Sequence, residues 1–218
     1  MDSYIVKNGY TAPAGIEARS MEIIAEELKK RGNTPDPETD AIVRRVIHTT
    51  ADFEYADQMY FSSNAVKSMR EAIRSGISVI TDTEMAKAGI NKKRLSEFGG
   101  SVRCFMSDED VASEAGKRGI TRAAVSMEKA AGLPEPHIFA IGNAPTALIR
   151  LYELIREGKI SPAGIIGVPV GFVNVVEAKE LIMTAGVPYI VAKGRKGGSG
   201  VAASICNALL YMKRGNRV

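Results

Sequence analysis

The sequence predicts a doubly wound α/β fold: a three-layer sandwich with a five-stranded, mainly parallel sheet, preceded by a helical N-terminal extension. Three observations lead there. Five short apolar runs bounded by turn residues read as buried strands, at 77–80, 102–106, 138–141, 164–168 and 189–191. Helical segments alternate with these runs, and that alternation argues a parallel sheet covered on both faces. No repeat, low-complexity tract or linker divides the 218 residues, so the chain reads as one domain, with an extension over 1–61 and a core over 62–218.

Taken in order, residues 1–15 read as an irregular arm. A helix follows over 16–31 and stops at Gly32, and Pro35-Asp36-Pro37-Glu38 forms a turn whose acids suit the next helix start. That helix carries His48. The stretch 49–61 is polar and aromatic, and suits either a pocket wall or surface packing. A helix over 64–74 ends at Gly76. After the first strand, Asp82 or Thr83 can cap the next helix. Ser107-Asp108-Glu109-Asp110 is a second capping signature. Helices are predicted over 121–131, from 146 to 157 with a stop at Gly158, over 172–184, and from about 200 to 212.

Composition excludes several functions. A net charge of +4 without a dense basic run, and with no tryptophan, does not make a nucleic-acid platform. No apolar stretch approaches a membrane span and the N-terminus carries no leader pattern, so a cytoplasmic location and no membrane partner are expected. Cys104 and Cys206 are far apart in apolar segments and read as buried thiols. His48 and His137 share no metal-ligand spacing, so no protein-held metal is expected, and His137 reads as a surface residue.

The stretch most suited to chemistry is Arg44-Arg45-Val46-Ile47-His48-Thr49-Thr50. Ile42, Val43, Val46 and Ile47 form one apolar stripe, and at about 100° per residue His48 falls nearly opposite it, on the side of Arg44 and Arg45. Two readings stand. His48 is a solvated cation at a helix C-terminus, or it is a proton donor and acceptor beside an anion-binding wall.

In an open parallel sheet a ligand sits at the carboxyl ends of the strands. That points to loops 81–84, 106–110, 142–146, 168–172 and 194–200. Gly194-Arg195-Lys196-Gly197-Gly198-Ser199-Gly200 follows a strand and opens a helix, which makes an anion cradle with Arg195 and Lys196 beside it, or else a tight turn with solvated bases. Neither the dinucleotide nor the phosphate-loop pattern is complete there. Asn143 reads as an N-cap or a ligand contact, and Arg122 as a carboxylate fork or a surface cation. No Ser-His-Asp motif is visible.

Several motifs occur together and in order: Arg45-Val46-Ile47-His48, Ile120-Thr121-Arg122, Gly142-Asn143-Ala144-Pro145-Thr146-Ala147-Leu148, Val168-Pro169-Val170-Gly171-Phe172-Val173 with Glu177-Ala178-Lys179, and Gly194-Arg195-Lys196-Gly197-Gly198-Ser199. In this the chain resembles the precorrin-8X methylmutase family, also called cobalt-precorrin-8 methylmutase, of cobalamin biosynthesis. One departure is Ala123, where the family commonly has serine after Thr-Arg. The resemblance implies a flavodoxin-like fold and an isomerase that moves a methyl group from C-11 to C-12 of a corrinoid. No external cofactor is implied, since the methyl is already on the substrate, and any cobalt belongs to the substrate. His48 is the implied proton donor and acceptor. Ser20 is the implied substrate hydrogen-bond donor, with Arg19, Arg122, Asn143 and Ser199 as carboxylate contacts. The implied partners are the corrinoid tetrapyrrole, a second copy in a homodimer, and neighbouring enzymes of the pathway. Two rivals remain: a non-catalytic corrinoid carrier that sequesters the product, and a nucleotide-binding module.

Overall fold

The computed structural model describes residues 13–134 and 136–212. Residues 1–12 of the predicted arm lie outside them. Helix α1 (Pro13–Lys30) begins three residues earlier than predicted, with proline in the first turn where its missing N–H costs nothing. Then come α2 (Asp40–Thr50), the short α3 (Tyr55–Gln58) and strand β1 (Met59–Phe61). The remainder alternates: α4 (Ala65–Arg74), β2 (Val79–Thr81), α5 (Glu84–Gly89), α6 (Lys92–Ser96), β3 (Val102–Cys104), α7 (Glu109–Arg118), α8 (Arg122–Ala131), β4 (Ile138–Ile141), α9 (Pro145–Arg156), β5 (Gly164–Gly167), α10 (Val175–Met183), β6 (Tyr189–Ala192) and α11 (Ser199–Tyr211).

The sheet has six strands, one more than expected, in the order β1-β6-β5-β4-β2-β3. The extra strand is β1, which pairs antiparallel with β6, Met59 opposite Ala192 and Phe61 opposite Ile190. Three residues are too few to show a period, and Tyr60 faces outward, so nothing in the sequence distinguishes this edge from loop. The other five strands are parallel. Counted from β2 they run 2-1-3-4-5, so the chain reverses direction between β2 and β4, where a crevice opens at the strand ends.

Strands β2, β4, β5 and β6 each feed two cores because neighbouring side chains point to opposite faces. Ile138 and Ala140 of β4 join Ile42, Val46, Met69, Ile205 and Leu209 from α2, α4 and α11. Phe139 and Ile141 of the same strand join Met127, Leu148, Leu151 and Ile182 from α8, α9 and α10. The N-terminal helices share the first core: Ile24 and Leu28 of α1 and the predicted stripe of α2 are buried in it.

Two further expectations are corrected. His137 is not a surface residue: it is 3% exposed and its ring meets Phe139 edge-on at 6.4 Å. The helix expected from 172 starts at Val175, and Phe172 and Val173 stand exposed in the loop before it. Cys104 and Cys206 are free and buried, as expected. Among the described residues, no helix is long and apolar enough to cross a membrane.

Candidate active site at the carboxyl ends of the strands

The crevice between β2 and β4 is closed by a carboxylate. Asp82, the residue after β2, is fully buried. One of its oxygens accepts the backbone N–H of Gly142 at 2.8 Å. The other accepts those of Asn143 at 2.8 Å and Ala144 at 2.7 Å. Burial pushes the Asp82 carboxyl above the ordinary carboxylate range, while the three N–H donors oppose that by favouring the anion. The sequence offered Asp82 or Thr83 as the cap of α5. The structure separates them: Thr83 accepts the Ala86 N–H at 3.0 Å and caps α5, while Asp82 serves the start of α9 from across the sheet. Asn143 is correspondingly not a side-chain cap, and Ala144 holds the cap position. A phosphate at this place would compete with a built-in anion, which argues against a nucleotide-binding module.

Two neighbouring loops are locked backbone to backbone. A Cβ on Gly142 would lie 2.7 Å from the Ser199 Cα, and one on Gly197 would lie 2.1 Å from the Val168 carbonyl oxygen. The contact sets Ser199, first residue of α11, against Thr83, with their hydroxyls 2.8 Å apart. The loop ends of β2, β4, β5 and β6 thus form one surface.

The glycine-rich loop is held by side chains that the sequence did not single out for this. Lys179 of α10 is fully buried, and its ammonium donates to the carbonyls of Gly194 and Lys196, each at 2.8 Å. Lys196, expected beside the anion cradle, is instead paired with Asp52 and with Glu54, the latter at 2.9 Å. Its hydrogen bond holds the Asp52 carboxyl below the usual range. The polar stretch after α2 is therefore a tether for this loop. The Arg195 guanidinium lies over the Phe172 ring at 5.5 Å.

Helix α2 places His48 as its periodicity requires. Ile42, Val43, Val46 and Ile47 are at most 2% exposed, and His48 is exposed on the opposite side. Arg44 is engaged by Asp40 at 2.7 Å and Arg45 by Glu17 at 2.7 Å, so each cation carries an acid partner. The His48 ring has no hydrogen bond or ion pair with another described residue. Arg45 and Thr49 of α2 line a cleft of about 880 Å³ together with Glu17, Gly200, Ala203 and Asn207, among others. That volume is in the upper range of small-molecule sites. His48 is not one of the lining residues; it adjoins Thr49 in the chain and stands about 60° from Arg45 around the helix.

The remaining predicted residues fall into two groups. Ser199 joins the His48 side through Gly200, its neighbour in the cleft wall. Ser20 stands one turn beyond Glu17 on α1 and donates to the Ile16 carbonyl at 2.9 Å. Arg19 is exposed and bonded to Glu22 at 3.0 Å. Arg122 and Asn143 lie at the β4 side. Arg122 opens α8, whose cap Thr121 donates to Thr146 of α9 at 2.9 Å, and the Asn143 side chain is exposed. Among the described residues no cluster of three His, Cys, Asp or Glu is placed to hold a metal ion.

The arrangement offers one unengaged imidazole on the helix that helps wall a large cleft, with hydroxyls and cations spread along the strand ends. Comparison with known proteins gives it a context. The family model for precorrin-8X methylmutase matches residues 15–212. A cobalt-precorrin-8 methylmutase of Priestia megaterium is 46% identical over 200 residues, covering 90% of this chain and 87% of that protein. One from Salmonella typhimurium is 44% identical over 208 residues, covering 93% and 96%. The solved structure of a precorrin-8x methyl mutase from Thermus thermophilus superposes with a TM-score of 0.81 at 39% identity, covering 89% of this chain and 95% of that one. The chain belongs to the precorrin-8X methylmutase family.

Proposed function

We propose that the protein is an isomerase of corrin ring biosynthesis that moves a methyl group from C-11 to C-12 of precorrin-8, or of its cobalt form, giving hydrogenobyrinate or cobyrinate. The names of its relatives support the reaction class. The observation that carries the assignment within this chain is His48, exposed and with no side-chain partner among the described residues, on the helix whose Arg45 and Thr49 wall the cleft.

In this reading the His48 imidazolium lends a proton to a ring nitrogen near C-11. The electron-poor ring then undergoes a [1,5] shift of its own methyl group, and the proton returns to the imidazole. Substrate and product hold the same atoms, so no methyl donor, oxidant or resident cofactor is needed. An imidazole can act both as donor and as acceptor of a proton, as the shift requires. The acidic arms of the ring are met along the strand ends by Ser199, Asn143 and Arg122, and from α1 by Arg19 and Ser20. To donate to the ligand, Ser20 exchanges its bond to the Ile16 carbonyl. The reading includes a cytoplasmic homodimer with neighbouring enzymes of the pathway as further partners. The exposed Val170, Phe172 and Val173 suit a covered face, and the free thiols suit a reducing setting.

The test is to incubate the purified protein with metal-free and with cobalt-containing substrate and to follow the visible spectrum. Catalytic amounts of protein convert at least one of them to the corresponding cobyrinate. A spectral change that saturates at one equivalent of protein would instead mark a carrier.

A further inference from the structure

The buried ammonium of Lys179 plays no part in the proton transfer, and no carboxylate among the described residues pairs with it. Such a cation is costly to keep dry, and here two carbonyl oxygens, of Gly194 and Lys196, are its partners. The geometry of those two bonds has a consequence on the other side of the loop. The described peptides are all trans, and across a trans peptide the C=O and the following N–H point in opposite directions. With the carbonyls of Gly194 and Lys196 turned to Lys179, the N–H groups of Arg195 and Gly197 are turned away from it. Neither donates to another described residue. The peptides between and after them are held too. The Arg195 carbonyl accepts the Gly171 N–H at 3.1 Å, and the Gly198 N–H donates to Val168 at 2.8 Å. Gly197 lies so close to Val168 that no side chain fits. The loop is thus clamped from behind and from one end, with two N–H groups and the Arg195 guanidinium left to its outer side.

We propose that Lys179 is a positioning residue: by drawing in the carbonyls of Gly194 and Lys196 it presents the N–H groups of Arg195 and Gly197 to a carboxylate arm of the substrate. The identity of that ligand rests on the methylmutase reading above. Lys179 itself touches no substrate. Burial pushes its pKa down to about 8, so the ammonium still predominates at neutral pH. A neutral amine would keep two N–H donors, enough for both carbonyls.

The test uses Lys179→Met, which keeps an unbranched side chain one atom shorter and removes the donors, with cobyrinate as the probe. The expected result is a product Kd and a KM raised about tenfold or more, with kcat at saturation within about threefold of wild type, since only ground-state holding of one arm is lost. Hydrogen exchange over residues 193–199 speeds up in the variant. Unchanged Kd and unchanged exchange would overturn the proposal. Because the variant can fail to fold, the wild type supplies a second reading: cobyrinate binding slows exchange at Arg195 and Gly197, and bound cobyrinate without that protection would overturn it. A wild type that binds no corrinoid removes the functional reading, and this assignment with it. A wild type that binds while Lys179→Met binds equally well removes this assignment alone.

Discussion

The carboxylate of Asp82 accepts the backbone N–H of Gly142 at 2.8 Å, so the residue after β2 fastens the first residue after β4. Two further N–H groups, of Asn143 and Ala144, end on the same side chain. Helix α9 is therefore capped from another strand, and the crevice at the reversal of the sheet is filled by the protein's own anion. Asp82→Ala leaves three N–H groups without their acceptor, and each buried orphan costs about 1–3 kcal/mol. Urea unfolding is expected to show a loss of about 3 kcal/mol or more, and Asp82→Asn, which retains one acceptor oxygen, a smaller loss. Equal stability of wild type and Asp82→Ala would show that the carboxylate does not hold the loop.

Gly142 and Gly200 make a paired test of the close approach. A Cβ on Gly142 would lie 2.7 Å from the Ser199 Cα, which is backbone and cannot swing aside, whereas one on Gly200 meets nothing within 4 Å. Gly142→Ala is expected to cost about 1–3 kcal/mol by overpacking and to disturb the Thr83–Ser199 contact. Gly200→Ala is expected to stay within about 1 kcal/mol of wild type. Unfolding midpoints that rank the two the other way would contradict the contact.

Lys179 makes a prediction about alkaline pH. Its pKa is about 8 in the folded protein against 10.5 for an ordinary lysine. Between those values the unfolded chain holds more protons than the folded one, so this group's contribution to stability rises with pH. The rise is at most about 3 kcal/mol across the window, and it is absent below pH 8. The difference in unfolding free energy between wild type and Lys179→Met, measured from pH 7 to 10.5, should grow in favour of wild type. A flat difference would place the ammonium in a wetter setting than the structure does.

The sheet was legible where the chemistry was local. Buried parallel strands are apolar on both faces, so β2, β4, β5 and β6 stand out as runs, and the stripe of α2 put His48 on the correct side from spacing alone. What escaped depends on contacts between distant positions. β1 is three residues paired only along one edge. Asp82 looks like any helix cap until the sheet brings Gly142 to it. Lys196 looks like a free base until the turn after α2 supplies Asp52 and Glu54, and Lys179, met only as part of a motif, owes its role to a loop fifteen and seventeen positions further on. His137 precedes its strand after prolines that suggest a surface, yet it is buried with its ring edge-on to Phe139, in the wall of a pocket it shares with Leu133, Ile160 and Pro162. The proposed substrate contacts are the least legible, because Arg122 and Asn143 on one side and Ser20 and Ser199 on the other share no sequence spacing.

The proposed proton transfer turns on one imidazole, and His48→Ala addresses it most directly. Turnover of the precorrin-8 substrate and affinity for the cobyrinate product are measured on the same preparation. Loss of a general acid and base costs about 10²–10⁴-fold in rate, while the exposed position of His48 makes it a minor element of the fold. The expected result is kcat reduced by about that factor with product Kd within about threefold of wild type. Turnover equal to wild type, with the product still bound, would contradict the assignment.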